Sequence, residues 1–120
     1  MEKKTLVLGA SENPDRYSNM AIRRLRAKGY PVIAIGNRIG QVLDVTIIKE
    51  QRPLDGIDTV TLYLNPKNQE SYYDYILSLK PQRIIFNPGT ENIALEHLAH
   101  EKGIQVQEAC TLVLLSTGQY

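Results

Sequence analysis

The chain alternates between two kinds of hydrophobic pattern, and this alternation limits its possible folds more than any other feature. Thr5-Leu6-Val7-Leu8 is a short continuous run that stops at Gly9, as expected of a strand buried on both faces. A polar loop, Ala10 to Tyr17, carries Pro14 and leads to Ser18 or Asn19, whose side-chain oxygens suit a helix cap. Ala21, Ile22 and Leu25 form the buried stripe of that helix. Arg23, Arg24, Arg26 and Lys28 look outward, and Gly29 terminates it. Pro31 to Ile35 is a second strand, ending at Gly36. The unit then recurs: Asp58 to Leu64 is a strand rich in β-branched residues, and Asn65-Pro66 gives an N-cap followed by proline at the first helical position. One helix is predicted from Pro66 to about Leu79, burying Tyr72, Tyr73, Ile76 and Leu77 and stopped by Pro81. Arg83 to Phe86 is a strand that turns at Asn87-Pro88-Gly89. Glu91 to Lys102 is a helix with Ala94, Leu95, Leu98 and Ala99 on one face and Gly103 after it. Ile104 to Val106 is a last strand, followed by an apolar segment from Leu112 to Leu115. Gly40 to Gly56 holds a short edge strand, Val45 to Ile48, and is otherwise connection.

Strands alternating with helices mean parallel βαβ units with right-handed crossovers. The expected fold class is α/β: a Rossmann-like doubly wound parallel sheet in a single domain, residues 1–120. Fourteen Lys and Arg against thirteen Asp and Glu leave a net charge of +1, so no global field recruits nucleic acid or an anionic membrane. A single cysteine forms no internal disulfide and no Cys-rich metal site. After Met1-Glu2-Lys3-Lys4 the first apolar run is too short for a signal or membrane segment, and a cytoplasmic location is expected.

In doubly wound sheets ligands lie beyond the carboxyl ends of the strands, near the point where strand order reverses. Those ends are Gly9-Ala10-Ser11, Gly36-Asn37-Arg38, Asn65-Pro66 and Asn87-Pro88-Gly89-Thr90. The first suits an anion. Gly9 admits close backbone approach, Ser11 brings a hydroxyl, Arg16 a fork of donors, and the helix opening near Ser18-Asn19 its free N–H groups. The dinucleotide frame G-x-G-x-x-G is altered, with Ser11 and Pro14 at the second and third glycine positions. The second strand ends in Asn37-Arg38 rather than the acid that holds an NAD ribose, and a cation there prefers a phosphorylated ribose. NADP and coenzyme A both carry one; the altered frame counts against NADP.

Val7-Leu8-Gly9-Ala10-Ser11 followed by Asn13-Pro14-x-Arg16-x-Ser18-Asn19 resembles the small stand-alone CoA-binding proteins, which are similar to the N-terminal CoA-binding domain of the succinyl-CoA synthetase α-subunit. The likeness continues through Leu64-Asn65-Pro66, Asn87-Pro88-Gly89-Thr90-Glu91-Asn92 and Glu108-Ala109-Cys110-Thr111. It implies that Gly9, Ala10, Ser11, Asn13, Arg16 and Ser18 hold the diphosphate of CoA or an acyl-CoA. Asn37 and Arg38 would meet the phosphorylated ribose, and Tyr63, Leu64 and Asn65 the adenine or the start of the pantetheine arm. The synthetase's phosphorylated histidine lies in a following domain, so what carries over is binding and not catalysis. The resemblance also puts Cys110 near the thiol end of the ligand.

Other motifs have plainer explanations. His97 and His100 lie three apart beside Glu96 and Glu101 without the H-E-x-x-H pattern, and suit the end of a helix. Tyr63 and Lys67 have the Tyr-x-x-x-Lys spacing of short-chain dehydrogenases, but Pro66 between them breaks the continuous helix that chemistry needs. Of Tyr72, Tyr73 and Tyr75 the first two fall on the buried stripe of their helix, so core packing is expected, and a face left exposed would favour a homodimer or another protein partner over nucleic acid. The expected function is non-catalytic CoA binding. The alternatives are an NADP-binding oxidoreductase fragment or redox sensor, and an interaction protein with a vestigial crevice.

Overall fold

The computed structural model describes residues 3–120; Met1 and Glu2 lie outside the described residues. Among the described residues seven strands form one sheet: β1 (Thr5–Leu8), β2 (Val32–Ile35), β3 (Gly40–Val42), β4 (Val45–Ile48), β5 (Thr59–Leu62), β6 (Arg83–Phe86) and β7 (Gln105–Glu108). Their order is β3-β4-β2-β1-β5-β6-β7, with every neighbouring pair parallel except the β3–β4 hairpin. The two faces are covered by α1 (Tyr17–Ala27), α2 (Pro66–Gln69), α3 (Tyr73–Ser78), α4 (Ile93–Glu101) and α5 (Thr111–Ser116). This is the Rossmann-like α/β domain expected. β1, β5 and β6 are buried along their whole length; in β1 and β6 the apolar run is continuous, while β5 alternates Thr with Val and Leu and buries both threonines as well.

Two cores sit on opposite faces of the sheet. On one, Val7, Ala34 and Ile85 pack with Ile22 and Leu25 of α1 and with Leu114 and Leu115 of α5. On the other, Leu6, Leu8, Val60, Leu62, Ile84 and Phe86 meet Tyr75, Ile76, Leu95 and Ala99 from α3 and α4. The terminal apolar segment is thus a helix that closes the first core against α1.

Four expectations are corrected. Val45–Ile48 is not the edge strand: Gly40–Val42 folds back outside it, a pairing too short to leave a local pattern. Helix α1 opens at Tyr17 with Arg16 at its N-cap, and Ser18 and Asn19 are buried inside its first turn rather than capping it. On α4 only Leu95 and Ala99 are buried; Ala94 is exposed and Leu98 half-buried. The stretch from Pro66 is broken by a 3₁₀ turn at Glu70–Tyr72. A 3₁₀ turn adds about 20° per residue over an α-helix, so three residues swing Tyr75 about 60° toward the face that already carries Gln69. Gln69, Tyr75 and Ile76 are therefore the buried residues, while Tyr72, Tyr73 and Leu77 are half-buried.

Candidate functional site

The chain runs from β1 outward to β2 and β4, then returns to place β5 on the other side of β1. The reversal lies between β1 and β5, and Gly9 stands at that point. Its φ is +92°, and a Cβ built on it would lie 2.9 Å from the carbonyl carbon of Tyr63, the residue after β5. Only glycine meets both demands. The next residues are tied to β2: Gly9 and Ala10 donate to Ile35 O at 2.9 and 3.0 Å, and a Cβ on Gly36 would sit 2.3 Å from Ala10 O. The first loop and the β2 tip are thus joined as one piece of backbone.

Beyond Ala10 the loop is held by its own polar side chains. Ser11 Oγ accepts from Asn13 N at 3.0 Å, and Asn13 Oδ1 accepts from Asp15 N at 3.0 Å. Buried Asn19 donates from Nδ2 to Ser11 O at 2.9 Å and accepts from Arg23 Nε at 2.8 Å, anchoring the loop to α1. Glu12 reaches sideways and accepts from Gln41 N in β3 at 2.8 Å.

These segments wall a cleft of about 810 Å³, within the range of a small-molecule or cofactor site. Gly9, Ala10, Ser11, Asn13, Arg16 and Ser18 line one side, Asn37 and Arg38 a second, and Tyr63, Leu64 and Asn65 the third. Every residue assigned to the ligand from the sequence borders this one space. Glu12, Tyr17, Asn68 and the β6 tip, Pro88 to Thr90, complete the lining. The β6 tip carried a signal, the Pro-Gly turn on the expected rim. Asn68 follows from the Asn65-Pro66 cap, where Asn65 Oδ1 accepts from Asn68 N at 2.9 Å. Glu12 and Tyr17 carried none. Cys110 stands between β7 and α5 and is absent from the lining, because β7 lies one strand beyond the β6 tip that bounds the cleft.

Buried amides hold the third wall in place. Gln69 Nε2 donates to Leu64 O and Thr90 O, both at 2.8 Å, bridging the tips of β5 and β6. Asn92 passes that bridge on, donating to Gln69 Oε1 at 2.9 Å and Tyr73 Oη at 2.8 Å while capping α4. Asn87 donates to Thr61 Oγ1 and Leu62 O and accepts from Thr111 N, locking β5, β6 and α5 together.

The charge on the lining is unequal. Among the described residues Arg16 and Arg38 make no ion pair, and Glu12 is the one carboxylate on the wall. Tyr63 Oη is buried without a hydrogen-bond partner among the described residues, since Thr61 and Thr111 bond each other at 2.8 Å. Burial pushes its phenol up to about 12, against a smaller opposing effect of the nearby Thr111 and Thr61 hydroxyls. It stands as a neutral aromatic wall. His97 and Glu101 form a 3.4 Å pair on the exposed face of α4.

Residues 3–116 match the family described as "CoA binding domain". The chain is similar over its full length to a crystal structure of an uncharacterized protein, at 52% identity and a TM-score of 0.97, covering 99% of that chain. A hypothetical protein from Pyrococcus horikoshii OT3 shares the fold, with a TM-score of 0.87 at 24% identity over 97% of this chain and 83% of its own. Uncharacterized protein YneT of Bacillus subtilis (strain 168) is 26% identical over 102 residues, 84% of this chain and 76% of its own length. No helix among the described residues is long and apolar enough to cross a membrane.

Proposed function

The chain belongs to the CoA binding domain family, and from that premise we propose that it binds coenzyme A or an acyl-CoA in the switch-point cleft without transforming it. The observation that carries this reading is the pair of arginines, Arg16 at the N-cap of α1 and Arg38 beyond the β2 tip, facing one cleft with no carboxylate bound to either among the described residues. Two separated cationic arms suit a ligand with two separated phosphate groups. In this reading the diphosphate lies along the first loop, where α1 presents its N-terminal dipole beside Arg16. The 3′-phosphate meets Arg38 and Asn37. Tyr63, Leu64 and Asn65 offer a flat, largely apolar wall to the adenine or the pantetheine arm, and an unionised Tyr63 adds no charge against the phosphates.

The test is a thermal-shift panel of the purified protein with CoA, acetyl-CoA, dephospho-CoA, NAD and NADP. A ligand at about 100 times its Kd adds roughly 2.7 kcal/mol, a shift of several degrees for a domain of this size. CoA is expected to raise Tm clearly more than dephospho-CoA does. Arg38→Ala is expected to weaken CoA about tenfold or more and to leave dephospho-CoA nearly unchanged, because only the former carries the phosphate that the guanidinium would meet. Stabilisation by NADP alone would replace the ligand, and no shift with any of the five would leave the cleft without a nucleotide role.

A further inference from the structure

We infer that Glu12 is a positioning residue: it straps the first loop to the β2–β3 segment, fixes the separation of the Arg16 and Arg38 arms, and so sets the preference for a ligand phosphorylated at both ends. The inference rests on the CoA reading above. Its starting point is a carboxylate where an anion site should have none, since a charge on the wall repels the ligand unless something holds it aside. Glu12 Oε2 is held by Gln41 N at 2.8 Å, a charge-assisted bond to a backbone donor in the outermost strand.

The position of that bond gives it leverage. Arg38 lies on the short segment between β2 and β3. One end of the segment is fixed to the first loop by the close approach of Gly36 to Ala10 O, and the other by Glu12 on Gln41. Two clasps, one on each side of Arg38, therefore join the arm that carries it to the loop that carries Arg16. Ser11 and Asn13, on either side of Glu12, belong to the side-chain turns that shape the loop, so the strap pulls on a preformed unit.

Gly40 supports the same assignment from the other partner. Its φ lies outside the left-handed region, so its backbone does not call for glycine. What excludes a side chain is Glu12 itself: a Cβ on Gly40 would stand 2.4 Å from both Cγ and Cδ of Glu12. Glu12 is a flexible exposed side chain, so Gly40→Ala should unseat it at little structural cost, releasing the carboxylate into the cleft.

The experiment is calorimetric titration of CoA and dephospho-CoA into wild type, Glu12→Gln, Glu12→Ala, Gly40→Ala and the Glu12→Ala/Gly40→Ala double variant, with amide exchange at Gln41 followed in each. Glu12→Gln keeps an acceptor for Gln41 and loses the charge, and is expected to retain the CoA preference at equal or higher affinity. Glu12→Ala is expected to lower the ratio of CoA to dephospho-CoA affinity roughly three- to tenfold. Gly40→Ala should lose that preference and bind CoA more weakly than Glu12→Ala, and the double variant should recover to the Glu12→Ala level. Gln41 should exchange slowly in wild type and Glu12→Gln and fast in the other three. An unchanged ratio in Glu12→Ala, or Glu12→Ala indistinguishable from Glu12→Gln, would overturn the inference, the first leaving only a cap on an edge strand and the second only a charge effect. Wild type that binds neither compound would overturn the CoA reading itself, an outcome visible before any variant is compared.

Discussion

Gly9 and Gly89 both hold left-handed backbone at strand tips on the cleft, with φ of +92° and +90°, but their surroundings differ. A Cβ on Gly89 meets nothing within 4 Å, whereas one on Gly9 meets the Tyr63 backbone at 2.9 Å. Gly89→Ala should therefore cost only the conformational penalty, about 1 kcal/mol. Gly9→Ala adds a clash with main chain that cannot swing aside, and should cost about 2–4 kcal/mol in urea unfolding. Equal losses for the two would mean that the β1 and β5 tips separate freely and that their junction is not rigid. Arg38 and Glu12 contrast differently: both are exposed, so their substitutions should change binding far more than stability.

At the scale of elements, the wall formed by the β5 and β6 tips depends on one amide. Gln69 ends α2, is fully buried, and joins Leu64 O, Thr90 O and Asn92 Nδ2. Gln69→Ala leaves two carbonyls and one donor unpaired in the interior and should lower the unfolding free energy by about 2–4 kcal/mol. Because Leu64 and Thr90 both line the cleft, the same variant should also weaken CoA binding. A loss of stability with unchanged affinity would show that this wall does not bear on the ligand. Nothing in the local sequence marks this glutamine. It sits in a polar stretch, Pro66 to Glu70, whose evident feature is the Asn65-Pro66 cap.

The whole molecule shows its polar burial most clearly in alkali. Burial raises the phenol of Tyr63 to about 12, and it also raises those of Tyr120 and Tyr75. The unfolded chain releases these protons near pH 10, while the folded chain holds them longer, so stability falls as pH rises above 10; the contribution of Tyr63 is complete below pH 10 and is lost as pH rises toward 12. Tyr63 alone should account for a loss of about 2–3 kcal/mol across that window. Tyr63→Phe should flatten this part of the profile, and at pH 7 it should cost nothing, since it removes a hydroxyl without a partner among the described residues. Urea unfolding of both proteins at pH 7, 10 and 11.5 checks this; parallel profiles would mean that the Tyr63 hydroxyl is hydrated in solution.

The elements legible in the chain are those whose signal is local. Leu6-Val7-Leu8 and Ile84-Ile85-Phe86 are strands because continuous apolar runs stopped by glycine or asparagine fit a sheet covered on both faces, and Val60 to Leu62 lies in a run rich in β-branched residues. Gly9, Arg16 and Arg38 could be singled out because a glycine at a strand tip, and an arginine at a strand tip or in the loop before a helix, have a restricted set of uses. The tertiary structure alone decided that Gly40–Val42 folds outside β4, that a 3₁₀ turn brings Tyr75 inward in place of Tyr72 and Tyr73, that Gln69 bridges two tips, and that Glu12 reaches Gln41. Each of these depends on partners far apart in the chain, or on a few degrees of helical phase. A polar residue satisfied across such a distance leaves no periodicity in its own neighbourhood, so its role exists only once the sheet has brought the strand tips together.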